Sequence, residues 1–309
     1  MLQDLSRYIT KDEDYPVARG GFGEIWKCTY IINRRPVKVA VKSLQVYAAD
    51  QLGAAKKKKV KVGDPTKRLQ RTQRELRICA SLKHANILPV YGYTSGFGPF
   101  IAIVSPWAEN GNLTAYLERK GAILTLVRRF QIVVLMLDLE SSILLAVHAN
   151  SIIHGDFNGP NVLIRSDGTA CVADFGLSLM YSDIISASQA SWTSTLKGNL
   201  RWIAPELLGE REDGSPARPS EQSDIYSSGG IMLQVLTNKI PHYHLTNDAA
   251  IILCIAKSEK PSRSRYPALP DQYWHIIEQC WSTDAQERPS TERVNEVIRN
   301  EFYSLSKSR

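Results

Sequence analysis

The stretch IIHGDFNGPNVLI, Ile152 to Ile164, constrains this 309-residue chain more than any other. It sets a carboxylate, Asp156, and an amide, Asn161, five positions apart, behind a His and ahead of an apolar run. A second carboxylate, Asp174, closes the short apolar run CVAD and stands before Phe175 and a Gly hinge at Gly176. One acid suits proton acceptance, and an acid with an amide oxygen suits a hard cation. A turn aspartate that caps its own loop has the same local look, so the pattern takes its meaning from its neighbours.

Those neighbours lie upstream. VARGGFGEI, Val17 to Ile25, carries glycines at Gly20, Gly21 and Gly23, where backbone amides approach phosphate oxygens with no Cβ in the way. Alone this is also how a plain hairpin turn reads. VAVK, Val39 to Lys42, then alternates like a strand and leaves one ammonium near the glycine turn. A lone Lys at a strand end is ordinarily just solvated; Glu75 on a following helix changes that, because an ion pair would hold the ammonium on nucleotide phosphates.

Composition serves mainly to exclude. At 43% apolar the chain can bury a sizeable core. The formal charge of +7 includes five lysines, Lys56 to Lys59 and Lys61, so the rest is only mildly basic and no nucleic-acid partner is expected. That run reads as a solvated loop, with a nuclear address as the alternative. The five cysteines form no CxxC pair and no zinc spacing, which fits a reducing, cytoplasmic setting. MLQDLSRYITKDEDYP lacks a signal pattern and is expected to stay on the mature protein. The greasiest stretch, IVVLMLDLESSILLAV, carries Asp138 and Glu140 and is too short and charged to span a bilayer.

Hydrophobic periodicity divides the chain in two. Residues 15–44 read as strands joined by the glycine turn, 64–82 as a helix entered through Asp64-Pro65, and 87–106 as a hairpin broken at 93–99. Beyond Asn110-Gly111 the pattern becomes helical over 113–120, 128–149, 223–236, 248–256, 273–281 and 293–301. The expectation is an α+β, two-lobed fold: a small five-stranded antiparallel β lobe with one helix, and a larger α-helical lobe.

Downstream come APE at Ala204 to Glu206, SDIYSSG at Ser223 to Gly229 and CWSTDAQERPS at Cys280 to Ser290. These spaced motifs, in their order along the chain, resemble a eukaryotic protein kinase domain. The chain is similar to the tyrosine-kinase-like group, especially expanded fungal families with an HGD catalytic loop. The resemblance runs from Asp14 to Glu301, with 14–105 as the first lobe and 106–301 as the second. Residues 1–13 are left as a short extension and 302–309 as a tail.

The resemblance implies ATP and Mg2+ as cofactors, protein substrates, and transfer of the γ-phosphoryl group to Ser or Thr. It implies that Gly20 and Gly23 cover the phosphates, Lys42 pairs with Glu75, Asp156 is the catalytic base, and Asn161 and Asp174 hold magnesium. Ser105 resembles the gatekeeper. The backbone of Pro106 and Ala108 then meets the adenine edge, with Trp107 between them pointing away. Val17, Ile25, Ala40 and Leu163 close on the adenine faces. Cys79, Val90, His154 and Phe175 form the family's stacked spine, anchored by Asp224, and Glu206 pairs with a buried Arg288 as a structural element.

Several positions depart from the family. Ala18 replaces the first glycine, and Gly155 replaces the Arg that clamps a phosphorylated activation segment, which weakens a regulatory reading of the serines between Leu177 and Ile203. Asn158 stands where Ser/Thr kinases carry a Lys, and losing that cation is expected to cost on the order of 10²-fold or more in rate. Asn199 replaces a Thr near the base. Ser228 places a hydroxyl in a central helix, where it needs a carbonyl one turn back. The chain is longer than usual between Lys42 and Glu75 and before His148. Asn158 and Gly155 keep a pseudokinase as the alternative reading. HGD followed by an Asn also marks small-molecule phosphotransferases, against which APE and the Arg288-Pro289 pair stand.

Overall fold

The computed structural model describes residues 2–20, 23–44, 83–98, 101–146, 153–174, 200–210, 214 and 217–307. They fall into two compact units: one drawn from residues 2–44, 83 and 88–107, the other from 84–87, 108–174 and 200–307. The helix expected over 64–82, with Glu75 and Cys79, lies outside the described residues. So do Phe175, the activation-segment serines and Asn199.

The first unit is a seven-stranded sheet, where five antiparallel strands were expected. Its strands are β1 (Gln3–Asp4), β2 (Ile9–Lys11), β3 (Ala18–Gly20), β4 (Gly23–Ile32), β5 (Arg35–Leu44), β6 (Gly92–Thr94) and β7 (Ala102–Pro106). The order is β1-β6-β7-β5-β4-β2, with β3 also paired to β4. The two additional strands come from the segment before Asp14: β1 pairs with β6 in parallel, and β2 pairs antiparallel with β4. Between them, fully buried Leu5 enters the core with Trp26, Cys28, Val39, Val41, Phe97, Ala102 and Val104. These strands are only two and three residues long and mostly exposed and polar, with Ile9 alone packed against the core, which is too little for an alternating pattern to show. The hairpin expected over 87–106 is β6 and β7; Tyr93 and Thr94 lie within a strand rather than in the break.

The long β4–β5 hairpin closes through Asn33 and Arg34, both left-handed at φ 48° and 64°. A two-residue loop with this geometry matches the right-handed twist of the strands, and it asks for Asn-Gly more readily than Asn-Arg.

The second unit is mainly helical: α1 (Leu113–Lys120), α2 (Leu126–Ala146), α3 (Glu221–Thr237), α4 (Asp248–Ala256), α5 (Asp271–Cys280) and α6 (Thr291–Lys307). Asn112 caps α1 by accepting from the Ala115 N–H, and Ser220 and Ser223 form a capping box on α3. α3 is buried along nearly its whole length. Gly229 and Gly230 lie where a Cβ would come within 2.8 Å of Trp281 and of Trp202, so the two indoles pack directly on the helix backbone. The Ser228 hydroxyl donates to the Asp224 carbonyl one turn back at 2.9 Å, as its position required. Arg288, with no exposed side-chain surface, grips Glu206 through two bonds of 2.6 and 2.9 Å.

A two-stranded ribbon, β8 (Val162–Ile164) and β9 (Ala170–Val172), completes the unit and positions the chemistry. It is tied down on both sides. Ile164 donates to the Gly111 carbonyl at 2.8 Å, and Val172 donates to the Asn86 carbonyl at 2.7 Å.

Candidate active site

In the first unit, strand alternation sorts the expected nucleotide residues from the core. Val39, Val41 and Ser43 are buried toward the apolar cluster, while Ala40 and Lys42 are half-buried on the opposite face. Cross-strand register places Ile25, Lys42 and Ile103 in one row, and Lys27, Ala40 and Ser105 in the next. Paired residues share a face, so Ile25, Ala40, Lys42 and Ser105 come together on the side away from the core. Val17, next to the Ala18–Ile25 pair, donates its N–H to the Ile25 carbonyl at 2.8 Å. Gly20 pairs with Gly23 at the tip, and Gly23 has a φ of 141°, open to glycine and strained for other residues. Pro106 ends β7 opposite Val39, and the Trp107 ring lies 5.1 Å from the Lys27 ammonium.

In the second unit, the loop from His154 to Asn161 is held by its own polar groups. The two oxygens of Asp224, on α3, accept the His154 N–H at 2.6 Å and the Gly155 N–H at 2.9 Å. Burial pushes this carboxyl up to about 7, working against the two N–H donors that pull it down. Gly155 has a φ of 74°, so the glycine that departs from the family motif suits its backbone. His154 is buried, and its Nδ1 accepts the Asp156 N–H at 3.1 Å. Since that nitrogen accepts, the ring proton sits on Nε2 and is donated to the Ala173 carbonyl at 2.9 Å. One imidazole thus fastens the loop to the end of β9.

The same joint brings the two expected metal ligands together. Asn161 precedes β8, Asp174 follows β9, and the Ala173 N–H donates to the Asn161 carbonyl at 2.8 Å. Asp174 has a φ of 64°, a left-handed backbone that Asp adopts more readily than most residues and that recurs at functional sites. The Asn161 amide nitrogen donates to Asp156 Oδ2 and to the Asp156 carbonyl, both at 2.8 Å. An amide oxygen such as Asn161 Oδ1 and a carboxylate such as that of Asp174 are the hard donors that magnesium prefers. Leu163, half-buried at the centre of β8, alternates with buried Val162 and Ile164. Ala108 is buried and accepts the Gly111 N–H at 3.0 Å.

Reading Asn158 only as a missing charge overlooked its hydrogen bonds. The residue is 1% exposed, and its side chain donates to Asp156 Oδ1 at 2.7 Å and to the Asp156 carbonyl at 2.8 Å and accepts the Asn161 N–H at 3.0 Å. The spacing N-x-x-N ahead of a 3-10 turn was the available signal. Gly159 has a packing reason as well: a Cβ there would lie 2.4 Å from Gln234 Oε1 and 2.8 Å from Thr114 Oγ1.

The family model for protein tyrosine and serine/threonine kinases matches residues 13–298. The chain belongs to this family. The kinase domain is 30% identical over 298 residues to the "Probable serine/threonine-protein kinase roco11" of Dictyostelium discoideum, covering 94% of this chain and 18% of that protein. It is 28% identical over 230 residues to the same organism's mitogen-activated protein kinase kinase kinase A, covering 74% and 22%. To the Raf homolog serine/threonine-protein kinase of Caenorhabditis elegans it is 26% identical over 268 residues, covering 82% and 31%. The chain therefore spans between about a fifth and a third of the length of these relatives, all named as Ser/Thr or MAP kinase kinase kinases.

Proposed function

We propose that this kinase domain transfers the γ-phosphoryl group of ATP to Ser or Thr hydroxyls of protein substrates. The observation that carries the reading is the Asp156 carboxylate, oriented by two amides and joined through His154 and Ala173 to the Asn161–Asp174 pair. Asp156 accepts the proton of the attacking hydroxyl. Asn161 and Asp174 supply an amide oxygen and a carboxylate to Mg2+, which when bound neutralises charge on the phosphates. Lys42, for which the resemblance implies Glu75 as the partner, steadies the α and β phosphates, and Gly20 and Gly23 offer backbone amides to them. Val17, Ile25, Ala40 and Leu163 give the adenine apolar contact, Pro106 and Ala108 give it backbone hydrogen bonds, and Ser105 lies at the gatekeeper position.

A second reading, a pseudokinase that binds nucleotide and partners without transfer, is favoured by the neutral Asn158 beside the base. No helix among the described residues is long and apolar enough to cross a membrane. We read the setting as cytoplasmic, with the lysine run leaving a nuclear address as the alternative.

The test is phosphoamino-acid analysis of a generic protein substrate incubated with Mg-ATP, beside the Asp174→Asn protein. The expected product is phosphoserine and phosphothreonine, lost in the variant. Phosphotyrosine alone would overturn the specificity. Nucleotide-induced thermal stabilisation without any product would favour the pseudokinase.

A further inference from the structure

The residue that most departs from the family in the catalytic loop is the one most tightly built into it. Asn158 touches Asp156 at Oδ1 and at the main-chain carbonyl while its own Oδ1 takes the Asn161 N–H, the first bond of the turn Gly159–Asn161. Asn161 repeats the pattern from the other side, at Oδ2 and the same carbonyl. The carboxylate therefore accepts one amide donor on each oxygen, inside a loop where Asn158 is screened from water. A lysine offers three donors and no acceptor, and cannot cap the Asn161 N–H. An asparagine both donates and accepts, so this substitution replaces a cation with a two-way lock.

We propose that Asn158 is a positioning residue for Asp156, its amide acting with that of Asn161 to hold both carboxylate oxygens in place for proton acceptance. This rests on the reading of Asp156 as the base.

Asn158→Ser separates positioning from folding, because a serine keeps an N-cap acceptor for Asn161 and lacks the amide donor. The expected result is a melting temperature close to wild type, a turnover number lower on the order of ten-fold and an unchanged KM for ATP. Asn158→Lys, which returns a donor toward the carboxylate, recovers part of the turnover number. A wild-type turnover number in Asn158→Ser, or a loss carried by the KM for ATP or by the melting temperature instead, overturns the proposal. If wild type transfers no more phosphate than Asp156→Asn, the kinase reading falls instead, and with it the catalytic purpose assigned to the lock.

Discussion

Asp224 holds two successive N–H groups of the catalytic loop, and Asp224→Asn tests that arrangement in two ways. An amide has one accepting oxygen where the carboxylate uses two, so one of the His154 and Gly155 N–H groups loses its partner and faces an NH2. Leaving a buried donor unpaired costs about 2–3 kcal/mol. The second effect depends on pH. Burial raises this carboxyl from the ordinary 3.8 to about 7, so between those values the native state holds a proton that the unfolded chain has released. Stability from this group is complete below pH 4 and declines as pH rises through 7, by up to about 4 kcal/mol at 1.36 kcal/mol per pH unit. The amide has no such titration. Urea unfolding of both proteins at intervals from pH 5 to 8 should therefore show a stability difference in favour of wild type that shrinks as pH rises. Other titrating groups are common to both and cancel. A difference that stays flat, or grows with pH, would refute the reasoning. Phosphoryl transfer should fall at least ten-fold at every pH, since His154 also orients Asp156.

The Glu206–Arg288 pair yields a stability prediction separate from catalysis. Glu206→Gln removes the countercharge of a guanidinium with no exposed side-chain surface and turns an NH2 toward one of its two nitrogens, for a loss of about 2–3 kcal/mol in chemical denaturation; a loss under about 0.5 kcal/mol would contradict it. Gly159→Ala overpacks the loop against Gln234 and Thr114, costing about 1–3 kcal/mol with reduced turnover, and Gln234→Ala in the same chain should recover part of both. Arg34→Gly removes a left-handed arginine from the β4–β5 turn and should raise the melting temperature by about 2 °C in calorimetry, with activity unchanged.

The sequence showed most clearly what repeats at fixed offsets. Helices over 113–120 and 248–256 have the bounds their periodicity indicates, because cap and apolar stripe agree there. The Arg288 grip on Glu206 was implied by the kinase resemblance, whereas the Ser228 bond to the Asp224 carbonyl followed from asking where a buried hydroxyl finds a partner. The strands at 3–4 and 9–11 were hidden because main-chain pairing holds them, with one buried side chain, Leu5, between them. Asn158 was visible as a substitution but not as a lock. Comparison with a motif weighs the side chain that is gone, and only geometry shows what the new one bonds to.

The central claim is that Asp156 is a working base. Radiolabelled γ-phosphate transfer from Mg-ATP to a generic protein substrate, with wild type and Asp156→Asn side by side, tests it most directly. The account predicts measurable transfer that the substitution abolishes while the melting temperature stays within a few degrees. Equal transfer by the two proteins, or none by either, would contradict it.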